Sequence, residues 1–503
     1  MRKYQKIEKT IAETGMFSEY LPPCFVLPTT ALCNAPTENC DLIPPYCFTM
    51  SRFNGNDARR NIYIPEAGAY AVARNFIREH NILQDLIDFT DKYGTASFSP
   101  IVGVDDSIVR HEQAYDIAFD IPEIPSSYIE NIAKKLIRAS GAKQVLKLDI
   151  ATCYQSFYMH MITAILLGAD AAQEEYYKYE KDRKDPTLNP IYLTYANLDS
   201  ALRKMNMNRT NGILIGPLYS RILVESLLSR IDIELANEGI KYSRYTDDYE
   251  VYLYKDESKK VISTFTRILK RYGFSLNHEK TVLEDFPYYV VENLSQLFQD
   301  NTQNDLSSYE LMHLFNTFMN LEKSGTKGAI RYLLKSIEQK PINTSQKDLY
   351  KAYLLTIISN NERSLTKACS LLIQRKDELI LSEEDVSVIR NMLKEHLSNE
   401  HDLEVIWLTY LLIMTAKLTE EDKQRIVESN NELAQLLLLT KELLSADNIS
   451  TIKNKATSWL LLYELFVADT ISETEFIDKL HLKNNIEMYR KLKQKNSHFC
   501  KFK

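Results

Sequence analysis

Two adjacent carboxylates, Asp247 and Asp248, sit in the string RYTDDYEVYL at 244–253 between two runs of aromatic and β-branched residues. Such flanks read as the arms of a hairpin with the aspartates near its turn. Turns collect aspartates for conformational reasons alone, because the short side chain bonds back to local backbone. A third acid changes that weighing. About a hundred residues earlier, VLKLDIATCYQSFYMH puts Asp149 at the end of an alternating run, with Leu146, Leu148 and Ile150 on one face and Val145, Lys147 and Asp149 on the other. If that strand lies beside the hairpin, the three carboxylates converge. Hard oxygen donors of this kind suit Mg²⁺, with Mn²⁺ as the alternative ion. Two such ions about 4 Å apart would activate an attacking hydroxyl and neutralise a departing pyrophosphate.

Two further segments fit phosphoryl transfer, which depends mainly on positioning and charge compensation. In NGILIGPLYSRILVESLLSRID at 211–232, Gly212 and Gly216 would let backbone approach a nucleotide before a helical run begins. In LKRYGFSLNHEKT at 269–281, Lys280 returns after a helix and could neutralise or protonate pyrophosphate. Arg59 and Arg60 precede a strand-like run and could hold a triphosphate, or be an exposed charge pair. His160 reads as a structural histidine, and KYEKDRKDP at 178–186 as a solvated loop.

The elements that must position these groups follow from periodicity. The chain has 503 residues, 45% hydrophobic and 26% charged, with only 13 glycines and 15 prolines, which is the composition of a globular, helix-rich protein of several domains. Residues 1–56 read as an N-terminal arm or lid, rich in proline and cysteine. Residues 57–297 mix helical stretches, such as 66–80 and 127–140, with strand-like runs, giving an α+β domain. After a polar stretch near 298–308, residues 298–503 carry only helical periodicity, an irregular solenoid or bundle. Helix starts are signalled by Ser382 with Asp385, Thr419 with Asp422 and Ser472 with Glu475.

Net charge of −7 argues against broad gripping of duplex DNA, though a narrow cleft needs only local cations. The start MRKYQKIEKTIAETG lacks a signal-peptide core and the most apolar stretch, 406–416, is too short to span a bilayer, so a cytoplasmic protein without a membrane partner is expected. Cys24, Cys33, Cys40 and Cys47 lack the close pair typical of zinc sites and read as buried free thiols.

Four segments in this order, an Asp-ending strand with an aromatic five residues on, G-x-x-x-G-x-x-x-S, Tyr-x-Asp-Asp and G-x-x-L-N-x-x-K-T, resemble reverse-transcriptase motifs A to D. DIATCYQSFYMH, GILIGPLYSRILVE, YSRYTDDY and the fingers segment DARRNIYIPEAGAY are similar to the bacterial abortive-infection branch of that family. The resemblance implies an α+β reverse-transcriptase palm and fingers followed by an all-α helical-repeat-like C-terminal domain. It implies that Asp149, Asp247, Asp248 and the main-chain carbonyl of Ile150 hold metal, that Tyr154 is a steric gate against a ribose 2′-hydroxyl, that Gly216 lies under the incoming base and that Lys280 is the motif D lysine. Members of that branch are phage-defence polymerases that add dNTPs without a template, start from one of their own tyrosines to give an attached single DNA strand, and form homo-oligomers.

Ile215 stands where templated enzymes carry glutamine, a loss of one polar contact near the base pair that suits template-independent synthesis. A priming tyrosine needs a mobile segment that can reach the metals, and Tyr4, Tyr20 and Tyr46 are candidates among 31 tyrosines. The alternatives are a conventional templated RNA-directed polymerase and an inactive palm acting as a scaffold with a helical binding module.

Overall fold

The structure is a computed structural model that describes residues 5–36, 39–52, 58–102, 134–288, 294–300, 302, 307–338 and 340–502. Alternation in QVLKLD and DYEVYL becomes the centre of a four-stranded antiparallel sheet. Its strands are β3 (Gln144–Asp149), β4 (Tyr242–Tyr245), β5 (Asp248–Leu253) and β6 (Val282–Asp285), in the order β4-β5-β3-β6; β1 (Tyr46–Ser51) and β2 (Arg59–Ile64) form a separate antiparallel ribbon. The two faces separate as the period-two pattern requires. Leu146 and Leu148 join the main core, whereas Val145 packs with Ala139 and Tyr252 in a small cluster of its own.

Two helices back the sheet. Leu218–Asn237 is buried almost all round, charged residues included, as expected of a helix with no solvent face. Ser258–Arg271 is strongly amphipathic and sets Phe265 against Tyr249, ring centroids 5.2 Å apart and nearly perpendicular. Residues 127–133 of the expected 127–140 helix lie outside the described residues; the expected 66–80 helix is Ala67–Glu79, capped by Glu66.

From residue 294 on, the described residues form helices and no strand. They stack in two rows. Glu362–Gln374, Asp402–Met414, Glu432–Thr440 and Trp459–Val467 pack in succession, while Glu383–Ser398, Glu420–Glu428 and Ala446–Lys455 follow alongside. The first row is the apolar one, which accounts for the apolar stretch at 406–416; among the described residues no helix is long and apolar enough to cross a membrane. The starts at Ser382 and Thr419 are reciprocal capping boxes, while Ser472 accepts a single bond from Glu475 N.

The first fifty residues differ from the expected arm. Ile7 and Ile11 share one helix face and are buried with Met16, Phe17 and Phe25, because a run this apolar gains more by docking than by staying free. Gly15 O accepts from Leu218 N at 2.8 Å, Tyr20 O from Trp407 Nε1 at 2.7 Å, and Cys24 O from Lys501 N at 2.7 Å, so this segment bridges the sheet side and the helical side. The division expected at 297/298 falls inside helix Leu294–Asp300, and that at 56/57 falls between paired strands β1 and β2. Of the four early cysteines, Cys24 and Cys40 are buried as expected. Cys33 and Cys47 are exposed, each at the position of its helix or strand that faces away from the core.

Candidate metal and nucleotide site

Asp149 and Asp248 are direct cross-strand partners at the ends of β3 and β5. Asp247 occupies the β4–β5 turn, whose first residue, Thr246, takes the left-handed conformation with φ 52°. The turn is tied to β3 by Ile150 N donating to Asp247 O at 3.2 Å. Asp149 is 6% exposed, and its two oxygens are engaged: Lys280 Nζ donates to Oδ1 at 2.8 Å and Asn277 Nδ2 to Oδ2 at 3.1 Å. Asn277 N also donates to Asp149 O at 2.8 Å, which fixes the loop carrying Lys280 on the end of the strand.

The electrostatics of this corner call for a cation. Loss of water, then the charge of Asp149, pushes the Asp247 carboxyl up to about 6, against the pull of Lys280 and Arg60. Loss of water, then Asp247 and Asp149, pushes Asp248 up to about 7; its exposed face tempers that cost. The same three carboxyls lift Lys280, Asp149 foremost through its hydrogen bond. The donor chemistry therefore fits a hard divalent ion. The side chains are not yet disposed as a formed metal centre, since among the described residues no group of three His, Cys, Asp or Glu has that geometry, and Lys280 neutralises Asp149 instead.

The hairpin is held from behind by Arg244, which sequence reading passed over. Its guanidinium is fully buried between Glu225 and Asp232 of Leu218–Asn237, at 2.9 and 2.7 Å, and Nη1 donates to Thr246 O at 3.0 Å. No local sequence signal marks this cluster, because tertiary packing alone brings the strand arginine to the two acids of the buried helix. Asn277 was also missed, although it stands in the quoted LNHEKT.

Beside the aspartates, Tyr154 lies in the short helix Cys153–Ser156, where burial drives its phenol well above the ordinary range. Ile213 N donates to Tyr154 O at 2.9 Å, bringing the 211–217 loop against it. Ile215 O accepts from Tyr63 N at 2.7 Å, so the loop also lies on β2. Gly216 has φ +129°, and a Cβ there would sit 2.6 Å from Tyr63 O. Only glycine allows this approach.

The structure separates the two arginines. Arg60 lies close enough to Asp247 to lower its carboxyl and lines a cavity with Tyr154 and Gly216. Arg59 turns instead to Glu404 of the C-terminal helices, 2.5 Å away, because neighbours on a strand point to opposite sides. Among the priming candidates, Tyr20 lines the Tyr154–Gly216 cavity. Tyr46 does not: burial, with Asp402 and Glu432 beside it, raises its phenol strongly. Tyr4 lies outside the described residues. His160 is oriented by Asp199, Nδ1 to Oδ2 2.7 Å, as a structural histidine would be.

No family model and no curated protein matches the chain. Among solved structures, apo telomerase from Candida tropicalis matches at 12% identity over 88% of this chain and 70% of that one, with a TM-score of 0.35. Telomerase from Candida tropicalis in complex with the TWJ fragment of telomeric RNA matches at 12% identity over 75% of this chain and 65% of that one, TM-score 0.31. The Candida albicans telomerase with the same kind of fragment gives 12%, 79%, 66% and 0.32. These are distant likenesses.

Proposed function

We propose that the chain is a nucleotidyltransferase of the reverse-transcriptase type, a polymerase whose palm is the β4-β5-β3-β6 sheet. The observation that carries this reading is the pairing of Asp149 with Asp248 across β3 and β5, with Asp247 in the adjoining turn and Lys280 at hand. Asp149, Asp247, Asp248 and the Ile150 carbonyl would hold Mg²⁺ or Mn²⁺. Bound there, the ions would make the attacking hydroxyl nucleophilic and balance charge on the leaving pyrophosphate. Lys280, released from Asp149 to the phosphates, would give up a proton to pyrophosphate or neutralise it. Arg60 would steady the triphosphate, and Tyr154 would crowd a 2′-hydroxyl. Arg59 pairs with Glu404 through Nη2, so the triphosphate role falls first to Arg60.

The finer reading rests on the sequence resemblance and on Ile215: dNTP addition without a template, begun on a tyrosine and giving an attached single strand, in a homo-oligomeric phage-defence enzyme. Tyr20 is the favoured primer because it lies at the cavity, and its segment, docked through Trp407 Nε1, would have to be released for the hydroxyl to reach the ions. Purified protein given Mg²⁺ and labelled dNTPs, with no nucleic acid, should acquire label that survives denaturation and is lost in Asp247→Ala. Synthesis confined to a supplied primer-template would replace this reading with templated copying. One observation favours a scaffold as second reading: the Lys280–Asp149 ion pair satisfies Asp149 without any metal. Indifference of the biological phenotype to Asp149→Asn would support it.

A further inference from the structure

A cavity of about 140 Å³ opens beside the proposed active site, walled by Tyr154, Gly216, Pro217 and Arg60 and closed by Glu19 and Arg221. Arg221 is 7% exposed. Its Nη2 donates to Pro100 O at 2.9 Å and to Ser99 Oγ at 3.1 Å, while Nε and Nη1 are buried with no hydrogen-bond partner among the described residues. Buried N–H groups of a guanidinium are costly when unpaired, so two of them at a cavity wall can be satisfied by the acceptor of a bound ligand.

We infer that Arg221 and Glu19 read the base of the incoming nucleotide, in the place where a template base would otherwise pair with it. The inference rests on the nucleotidyltransferase reading above and names the specificity of that same site.

Three features favour a base over a phosphate. The cavity is smaller than those that enclose whole drug-sized ligands, and suits a single planar group. Ile62, Ile215 and Pro217 make its walls largely apolar. The Glu19 carboxylate would repel a phosphate, whereas a cation and a carboxylate together form a donor beside an acceptor, which is what one edge of a base requires. Guanine matches this pair best: O6 accepts from the guanidinium, while N1–H and the N2 amino group donate to the carboxylate. Thymine offers the carboxylate a single N–H, and each edge of adenine offers it only the N6 amino group, where guanine offers two adjacent donors. Glu19 reaches the cavity because its segment is docked, with Tyr20 O held by Trp407 Nε1 at 2.7 Å.

The test is equilibrium binding of dGTP and dTTP to the full chain in Ca²⁺, which supports binding without turnover. Wild type, Glu19→Gln, Arg221→Lys and Asp247→Ala are compared, and melting curves confirm folding. Wild type should bind dGTP about tenfold more tightly than dTTP, and Glu19→Gln should bring that ratio close to one. Glu19 is only partly buried, so this variant keeps the test decisive even if Arg221→Lys does not fold. Equal affinity of the wild type for the two nucleotides, or an unchanged ratio in Glu19→Gln, overturns the inference and leaves the polymerase reading standing. Failure of the wild type to bind either nucleotide overturns both.

Discussion

Asp247 and Asp248 carry carboxyls pushed up to about 6 and about 7, above an ordinary aspartate near 3.8. An acid with a raised folded-state value binds protons more tightly folded than unfolded, so this pair contributes least to stability at high pH. Its contribution is greatest below the unfolded value and falls as pH rises from about 4 through 7. A divalent ion should reverse this loss once the carboxyls are ionised. Thermal melting is therefore expected to show a Mg²⁺-induced rise in Tm at pH 8 that shrinks markedly at pH 5.5; an equal rise at both pH values would speak against these carboxyls as the ligands. Gly216 makes a different demand. Gly216→Ala meets Tyr63 O and a φ of +129°, costing about 1–3 kcal/mol in strain alone, and should lower Tm while abolishing nucleotide addition. Retained activity with unchanged Tm would show that the loop does not need its approach to β2.

The sheet positions the aspartates through elements that were only partly legible. Period-two alternation disclosed β3 and β5, and the TDD turn between aromatic runs disclosed the hairpin. Capping pairs disclosed helix starts at 382 and 419. Arg244 stayed hidden because nothing local says that a strand arginine will face Glu225 and Asp232 across a buried helix. That partnership is made only by tertiary packing. Arg59 and Arg60 looked equivalent for the same reason, since the sequence does not show what lies on either side of β2. The Arg244 cluster can be tested. Arg244→Met leaves two carboxylates facing each other in the core and should cost about 3–5 kcal/mol in chemical denaturation. A loss below about 1 kcal/mol would mean that the cluster does not anchor the hairpin.

At the scale of the whole molecule, the ends of the chain meet around the proposed fingers. Asp41 accepts from Lys483 N, Asn484 N and Asn485 N at 2.8–2.9 Å, and Asn485 Oδ1 accepts from Asp41 N at 3.0 Å. Glu66, at the start of helix Ala67–Glu79, bonds Tyr489. The first fifty residues read as an arm or lid because proline and cysteine obscured the buried apolar positions, and because the segment's partners lie far along the chain, Tyr70 for Ile11, Leu218 for Gly15 and Trp407 for Tyr20. Asp41→Ala strips the buried amide of Asn485 and the half-buried amides of Lys483 and Asn484 of their acceptor at once. It should cost about 1–3 kcal/mol, seen as a lower denaturation midpoint, whereas Asp85→Ala, at an exposed position of helix Ile82–Tyr93, should not. Such docking makes the helical half a structural support of the site through Arg59–Glu404 and β1. The central claim remains chemical, and pyrophosphate release tests it most directly. With Mg²⁺ and dNTPs, the wild type should release pyrophosphate, and Asp149→Asn and Asp248→Asn should each reduce the rate by on the order of a hundredfold or more while keeping the wild-type fold. Release that persists undiminished in both variants, or that is absent from the folded wild type, would contradict the assignment of these carboxylates to nucleotidyl transfer.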